Sequence, residues 1–269
     1  MPLRPHADAL EALYGRLNRR RYVEPDPLQF VYGWADVRDR EVTALVAATL
    51  AYGRVGQIVR SVADVLERLG DSPSERVRGA SPRRLRRDLA GFVHRFSTGD
   101  ELACLLTAAG RLGREFGSLG ACLAAGLDQR DETVLPALRR FAARLAEAAP
   151  GPCGHLLADP SRGSACKRWH LMLRWLVRRD EVDPGGWDAV SPARLIVPLD
   201  THMHRLTRRL GATRRKAADE RTAVEVTAAF RRIAPHDPAR YDFALTRLGI
   251  RPDQREAALA WTAAGDMRV

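Results

Sequence analysis

The sequence predicts an all-α protein, and three observations carry that prediction. Apolar residues recur at i, i+3, i+4 and i+7 along most of the 269 residues. No convincing period-2 segment appears. Alanine is abundant, whereas isoleucine, a strand former, occurs only four times. A hydrophobic share of 45% excludes a disordered chain and is enough for a sizeable core.

The elements follow in order. Leu10, Leu13, Tyr14 and Leu17 make the stripe of a first helix. After the loop Glu24-Pro25-Asp26-Pro27, a second helix is expected near Asp39 as N-cap, with Glu41 in its first turn. It presents Val42, Leu45, Val46, Thr49 and Leu50 and is expected to end at Gly53. Val55, Ile58, Val59, Val62, Val65, Leu66 and Leu69 define a third. Further helices are expected around 102–106, 134–145, 169–177, 203–210 and 241–248. With no repeat and no long linker, the helices should form two packed lobes in one unit. The expected lobes are residues 40–160, and 1–39 together with 161–269.

Forty-four basic against thirty-three acidic residues give a net charge of +11. That surplus suits a polyanionic partner, although an arginine-rich composition alone produces it too. Residues 76–95 are the densest basic stretch and read as a solvated face or a nucleic-acid contact. Only two of the basic residues are lysine, Lys167 and Lys216. Arginine cannot shed its proton to become a nucleophile, so chemistry is one reason to keep a lysine; chance survival on the surface is the other. Cys104, Cys122, Cys153 and Cys166 contain no C-x-x-C pair and read as reduced, packed thiols, so no metal and no cofactor are expected. No apolar run approaches the ~20 residues that span a bilayer. The first residues include Arg4, His6, Asp8 and Glu11 in place of a secretory signal. A soluble, cytoplasmic protein without a membrane partner is expected.

Residues 162–209 hold the most informative chemistry. In Gly163-Ser164-Ala165-Cys166-Lys167-Arg168-Trp169, Gly163 and Ser164 read as loop and N-cap. The helix they open buries Trp169, Met172, Leu173, Leu176 and Val177 and turns Lys167, Leu171, Arg174 and Arg178 the other way. Lys167 then lies near the third helical position, where the positive helix end and Arg168 disfavour its charge. The amine is thereby suited to act as base or nucleophile, beside N–H groups able to hold a phosphate. In Pro198-Leu199-Asp200-Thr201-His202-Met203, Asp200 reads as the N-cap of a helix with Met203, Leu206 and Leu210 inward, closed by Gly211. It is either a simple cap or a rigidly held anion.

Gly-Ser-x-x-Lys followed thirty-three residues later by Pro-Leu-Asp-Thr-His resembles the catalytic segment of the helix–hairpin–helix DNA glycosylase superfamily. The long separation is similar to that of the archaeal GO (8-oxoguanine) DNA glycosylase branch. From about Pro27 to Gly249 the chain also resembles an uncharacterised bacterial family linked to that superfamily. The shared stretches are Leu45-Val46-Ala47-Ala48-Thr49-Leu50-Ala51-Tyr52-Gly53-Arg54, Lys167-Arg168-Trp169 with Leu173-Arg174-Trp175, the 198–202 run, and Tyr241-Asp242-Phe243-Ala244-Leu245. The resemblance implies a two-lobed glycosylase-like fold and a monomer acting on double-stranded DNA with a damaged base. In that reading Lys167 attacks the anomeric carbon and Asp200 stabilises the developing sugar cation. Gly163, Ser164 and Arg168 would hold phosphate; Tyr52, Gln57 and Asp242, the last expected in mid-helix, would meet the base. Asp159-Pro160-Ser161-Arg162-Gly163 replaces the superfamily's two-glycine hairpin, and the iron–sulfur cysteines of its endonuclease III members are absent.

Two further readings stand beside this one. Asp200, His202 and His204 could bind a metal on a strand, but residues two apart diverge on a helix. Asp180 and Asp183 read as a solvated inter-helix loop. A non-catalytic helical module that binds damaged or distorted DNA accommodates the same charge and fold.

Overall fold

A computed structural model describes residues 3–250 and bears out the all-α reading: the chain is mostly helical. The end of the expected second lobe, residues 251–269, lies outside the described residues. The helices are α1 (Ala7–Leu17), α2 (Val37–Thr49), α3 (Val55–Leu69), α4 (Pro73–Gly79), α5 (Pro82–Asp88) and α6 (Gly99–Phe116). They continue with α7 (Leu119–Ala124), α8 (Leu135–Ala148), α9 (Lys167–Val177), α10 (Thr201–Arg209), α11 (Glu220–Arg231) and α12 (Asp242–Ile250). One short antiparallel hairpin, β1 (Val93–His94) and β2 (Ser97–Thr98), interrupts them.

Local chemistry explains most boundaries. Thr98 and Glu101 form a reciprocal capping box at the start of α6. Ser72, Ser81 and Ser118 cap α4, α5 and α7, the first two followed by proline at a first-turn position where its missing N–H costs nothing. Helix α6 packs among α4, α5, α7 and α8. At Gly110 a Cβ would lie 2.2 Å from the carbonyl oxygen of Val77, so only glycine admits α4 this close.

Helix α2 departs from expectation. It begins one turn earlier, capped by Asp36, whose side chain accepts from the Arg38 N–H. Asp39 is buried and accepts from Ser72 Oγ at 3.0 Å and Ser74 N–H at 2.8 Å, tying down the start of α4. Glu41 is buried as well and accepts from the N–H groups of Leu119 and Gly120 and from Trp187 Nε1, serving the start of α7 from a distance. Burial pushes its carboxyl up, against the lowering effect of those three donors. The helix ends at Thr49, before Gly53.

The core divides into two hydrophobic clusters. The first is built largely from α2 to α9, with Trp169, Met172, Leu173 and Trp175 among its members. The second joins α1 to α10, α11 and α12 through Leu10, Leu13, Met203, Leu206, Val226 and Phe230. The expected boundary at 160/161 therefore does not coincide with the division of the core, because α9 packs on α2 within the first cluster. Helix α10 belongs to the second. The segment between them spans the seam.

Candidate functional site

Helix α9 presents Lys167 at its first position, not its third. The cap position is Cys166, in the left-handed region at φ 44°, ψ 40°, while Ser164 Oγ accepts from the Cys166 N–H at 3.3 Å. Among the described residues Cys166 and Arg95 are the non-glycine residues with positive φ. Cys166 immediately precedes Lys167, and Arg95 packs against the cavity-lining Gly53. Strain of this kind persists where the surroundings enforce it, commonly at functional sites.

Helix α10 presents Asp200 as its N-cap, as the sequence predicts: Oδ1 accepts from the Met203 N–H at 2.7 Å. Its other oxygen, Oδ2, lies 2.8 Å from Lys167 Nζ. The two side chains are 34% and 30% exposed, half-buried but open to approach. The positive end of α9 is thus balanced by a carboxylate fixed to the positive end of α10. Burial opposes ionisation of Asp200, but the Lys167 ammonium, its hydrogen bond and the Met203 N–H outweigh it, holding the carboxyl below the ordinary aspartate value.

Both side chains line a cavity of about 620 Å³ at the seam. Tyr52, Gly53, Val55 and Ile58 line it together with Leu171 and Trp175 of α9 and with Pro198, Thr201 and Thr246. Arg174, Asp242, Arg247 and Asp26 add charged groups to its lining. Here several expectations are corrected. Arg174 and Arg178, expected on the solvent side of α9, are each 2% exposed. Arg174 pairs with Asp183 at 3.2 Å and with Asp242; Arg178 pairs with Asp183, with Asp180 at 2.7 Å and with Asp237 at 3.0 Å. The loop holding Asp180 and Asp183 is therefore an internal ion-pair partner, not a solvated connection, because α9 is enclosed on both sides. Burial drives the Asp183 carboxyl up to about 6, against the pull of the two arginines. Asp242 stands at the first position of α12, not in mid-helix, and is buried; its carboxyl is likewise raised by burial. Its Oδ1 has no hydrogen-bond partner.

The other expected site residues divide. Tyr52 lines the cavity and donates to Ser97 Oγ at 2.8 Å. Gln57, in the first turn of α3, does not line it. Gly163 and Ser164 are exposed and bound to the start of α11: the Gly163 carbonyl accepts from the Glu220 N–H, and Ser164 bridges Asp219. Arg168 donates to the Thr49 carbonyl at the end of α2 (2.7 Å) and to the His155 carbonyl, with its guanidinium 5.4 Å from the Tyr52 ring centre. One N–H on each of its two terminal nitrogens is thus engaged with the protein, which fixes the guanidinium beside Tyr52. His204 contacts the Arg215 carbonyl through Nε2 at 3.0 Å, so it is committed away from Asp200. The four cysteines are free and buried, as expected.

The sequence gives little sign of the hairpin beside the cavity. Phe96, 59% exposed, stacks on Tyr52 with ring centres 5.3 Å apart, and His155 packs edge-on against both rings. Gly53, at φ 98°, lets Arg95 cross it: a Cβ there would stand 2.9 Å from Arg95 Cδ. Two-residue strands are too short to show a period.

These features define a helical protein with a half-exposed lysine–carboxylate pair on the wall of a partly apolar cavity. The chain belongs to the family described as protein of unknown function DUF2400, whose model matches residues 26–251. No curated protein and no solved structure matches it.

Proposed function

We propose that this chain is a base-excision DNA glycosylase with associated β-lyase activity, acting on an oxidised purine such as 8-oxoguanine in double-stranded DNA. In this reading the helices form a two-lobed, helix–hairpin–helix glycosylase-like fold, and the protein works as a cytoplasmic monomer. The observation that carries it is the 2.8 Å contact between Lys167 Nζ and Asp200 Oδ2 on the wall of the 620 Å³ cavity. Such a volume lies within the ordinary range for small-ligand pockets. The glycosidic bond is unreachable inside a stacked duplex, so the nucleotide is extruded into the cavity. Phe96, 59% exposed and stacked on the cavity-lining Tyr52, offers an aromatic face for an unstacked base at the cavity's edge.

Asp200 Oδ2 takes a proton from Lys167 Nζ, and the freed amine bonds to C1′ as the glycosidic electron pair leaves with the base. The departing base is protonated in turn, and the returned Asp200 carboxylate faces the positive charge left on the sugar. Transfer of a nitrogen proton to O4′ opens the ring and leaves a C1′=N iminium. The Asp200 carboxylate then accepts the C2′ proton. The freed electron pair forms a C2′=C3′ double bond as the 3′-phosphate leaves with the C3′–O bonding pair.

Borohydride reduces such an iminium to a stable amine, which gives the test. Wild-type protein incubated with duplex containing one 8-oxoguanine or abasic site, then reduced, should yield a covalent adduct that Lys167→Ala abolishes. A stable non-covalent complex, indifferent to that substitution, would instead identify a non-catalytic module that binds damaged or distorted DNA.

A further inference from the structure

We propose that the C-terminal end of α10 and the turn after it form a second contact with the phosphate backbone, separate from the cavity. Arg205, Arg208 and Arg209 stand at i, i+3 and i+4, one face of the helix. The chain then turns at Gly211, φ 70°, and brings Arg214 back to the same place. These four side chains and Thr213 line an open depression of about 390 Å³. All four arginines are exposed, and none has a carboxylate partner among the described residues. The buried arginines Arg174 and Arg178, by contrast, are neutralised by Asp183, Asp242 and Asp237.

The negative end of the helix dipole favours Arg208 and Arg209 in the last turn. It does not account for Arg205 a turn earlier or for Arg214 beyond the helix. Four unneutralised guanidinium groups around one concavity fit several phosphate oxygens at once. The nine residues of α10 extend over ~13 Å at ~1.5 Å each, so the patch is held at a fixed distance from Asp200 at the other end. At ~3.4 Å of axial rise per base pair, that distance corresponds to about four base pairs measured along the duplex axis. Identification of the polyanion as duplex DNA rests on the base-excision reading. The patch would add a backbone grip at a distance from the cavity, where Arg168 is held by two backbone carbonyls.

Binding is measured by fluorescence anisotropy on duplex DNA across a salt series. The variant is Arg205→Gln/Arg208→Gln/Arg209→Gln/Arg214→Gln. The control is Arg83→Gln/Arg87→Gln, which removes exposed cations of α5. The four-site variant should bind at least tenfold more weakly at moderate salt. Its slope of log K against log salt should fall by about 2 or more, since each phosphate contact contributes ~0.9. The control should lose less per arginine removed. An unchanged slope, an equal loss per arginine in the control, or no duplex binding by the wild type overturns the proposal. Borohydride trapping at saturating protein separates the two readings. A reduced slope without any wild-type adduct keeps the patch and removes the excision chemistry; an adduct with an unchanged slope does the reverse.

Discussion

Helix α9 carries two ion-pair systems with opposite characters. At its start, Lys167 meets Asp200 in a single, half-exposed pair on a cavity wall. Two and three turns later, Arg174 and Arg178 sit in a network with Asp180, Asp183, Asp237 and Asp242, in which Asp183 has no exposed surface. The difference teaches what charge is for. Buried, multiply bonded arginines tie α9 to the loop after it and to α12. A lone lysine within reach of a cavity is free to exchange partners. Charge count would rank Arg174 and Arg178 first; accessibility ranks Lys167 first.

Breaking the buried network should have the largest effect on stability. Arg174→Ala leaves Asp183 and Asp242 without a main counter-charge, and losing one partner of a buried pair costs about 3–5 kcal/mol. Urea denaturation should register a loss of that size; a loss under ~1 kcal/mol would mean the network is not the brace described. Acid should expose a second buried group on the same helix. His170 is buried, and burial lowers its pKa from 6.5 to about 4. The folded state therefore favours the neutral ring. Its contribution is complete above pH 6.5 and falls as the pH drops towards 4, by roughly 3 kcal/mol in all. His170→Leu should flatten the stability profile between these limits, and an unchanged profile would place the acid sensitivity elsewhere.

The half-exposed pair should matter least to folding. Lys167→Met should change unfolding free energy by about 1 kcal/mol or less, since pairs this open contribute little. It should nevertheless raise the Asp200 pKa, because burial remains while the ammonium that lowers it is gone. Carboxyl-carbon NMR titration of wild type and variant reads that sign directly. A downward shift would show that Lys167 is not what holds Asp200 ionised.

Much of the fold was legible because helix stripes and caps are local signals. Asp200 as N-cap required only its own turn. Helices α4, α5 and α7 are too short for periodicity, yet Ser72-Pro73 and Ser81-Pro82 carried start signals that could have been read. The Lys167–Asp200 pair was legible by residue type, while its 2.8 Å contact depends on how α9 and α10 meet across the seam. Arg174 was misread because its partners lie nine and sixty-eight residues away, and an amphipathic stripe assumes solvent on the opposite side. Asp39 and Glu41 misled for a similar reason: both serve the starts of distant helices rather than their own.

The most direct test is to map the trapped residue. Protein reduced with borohydride on abasic duplex is digested, and the sugar-modified peptide is identified by mass spectrometry. The chain has only two lysines, so the outcome is unambiguous. The sugar remnant should lie on Lys167. A remnant on Lys216 or the terminal amine, or no remnant at all, would contradict the account.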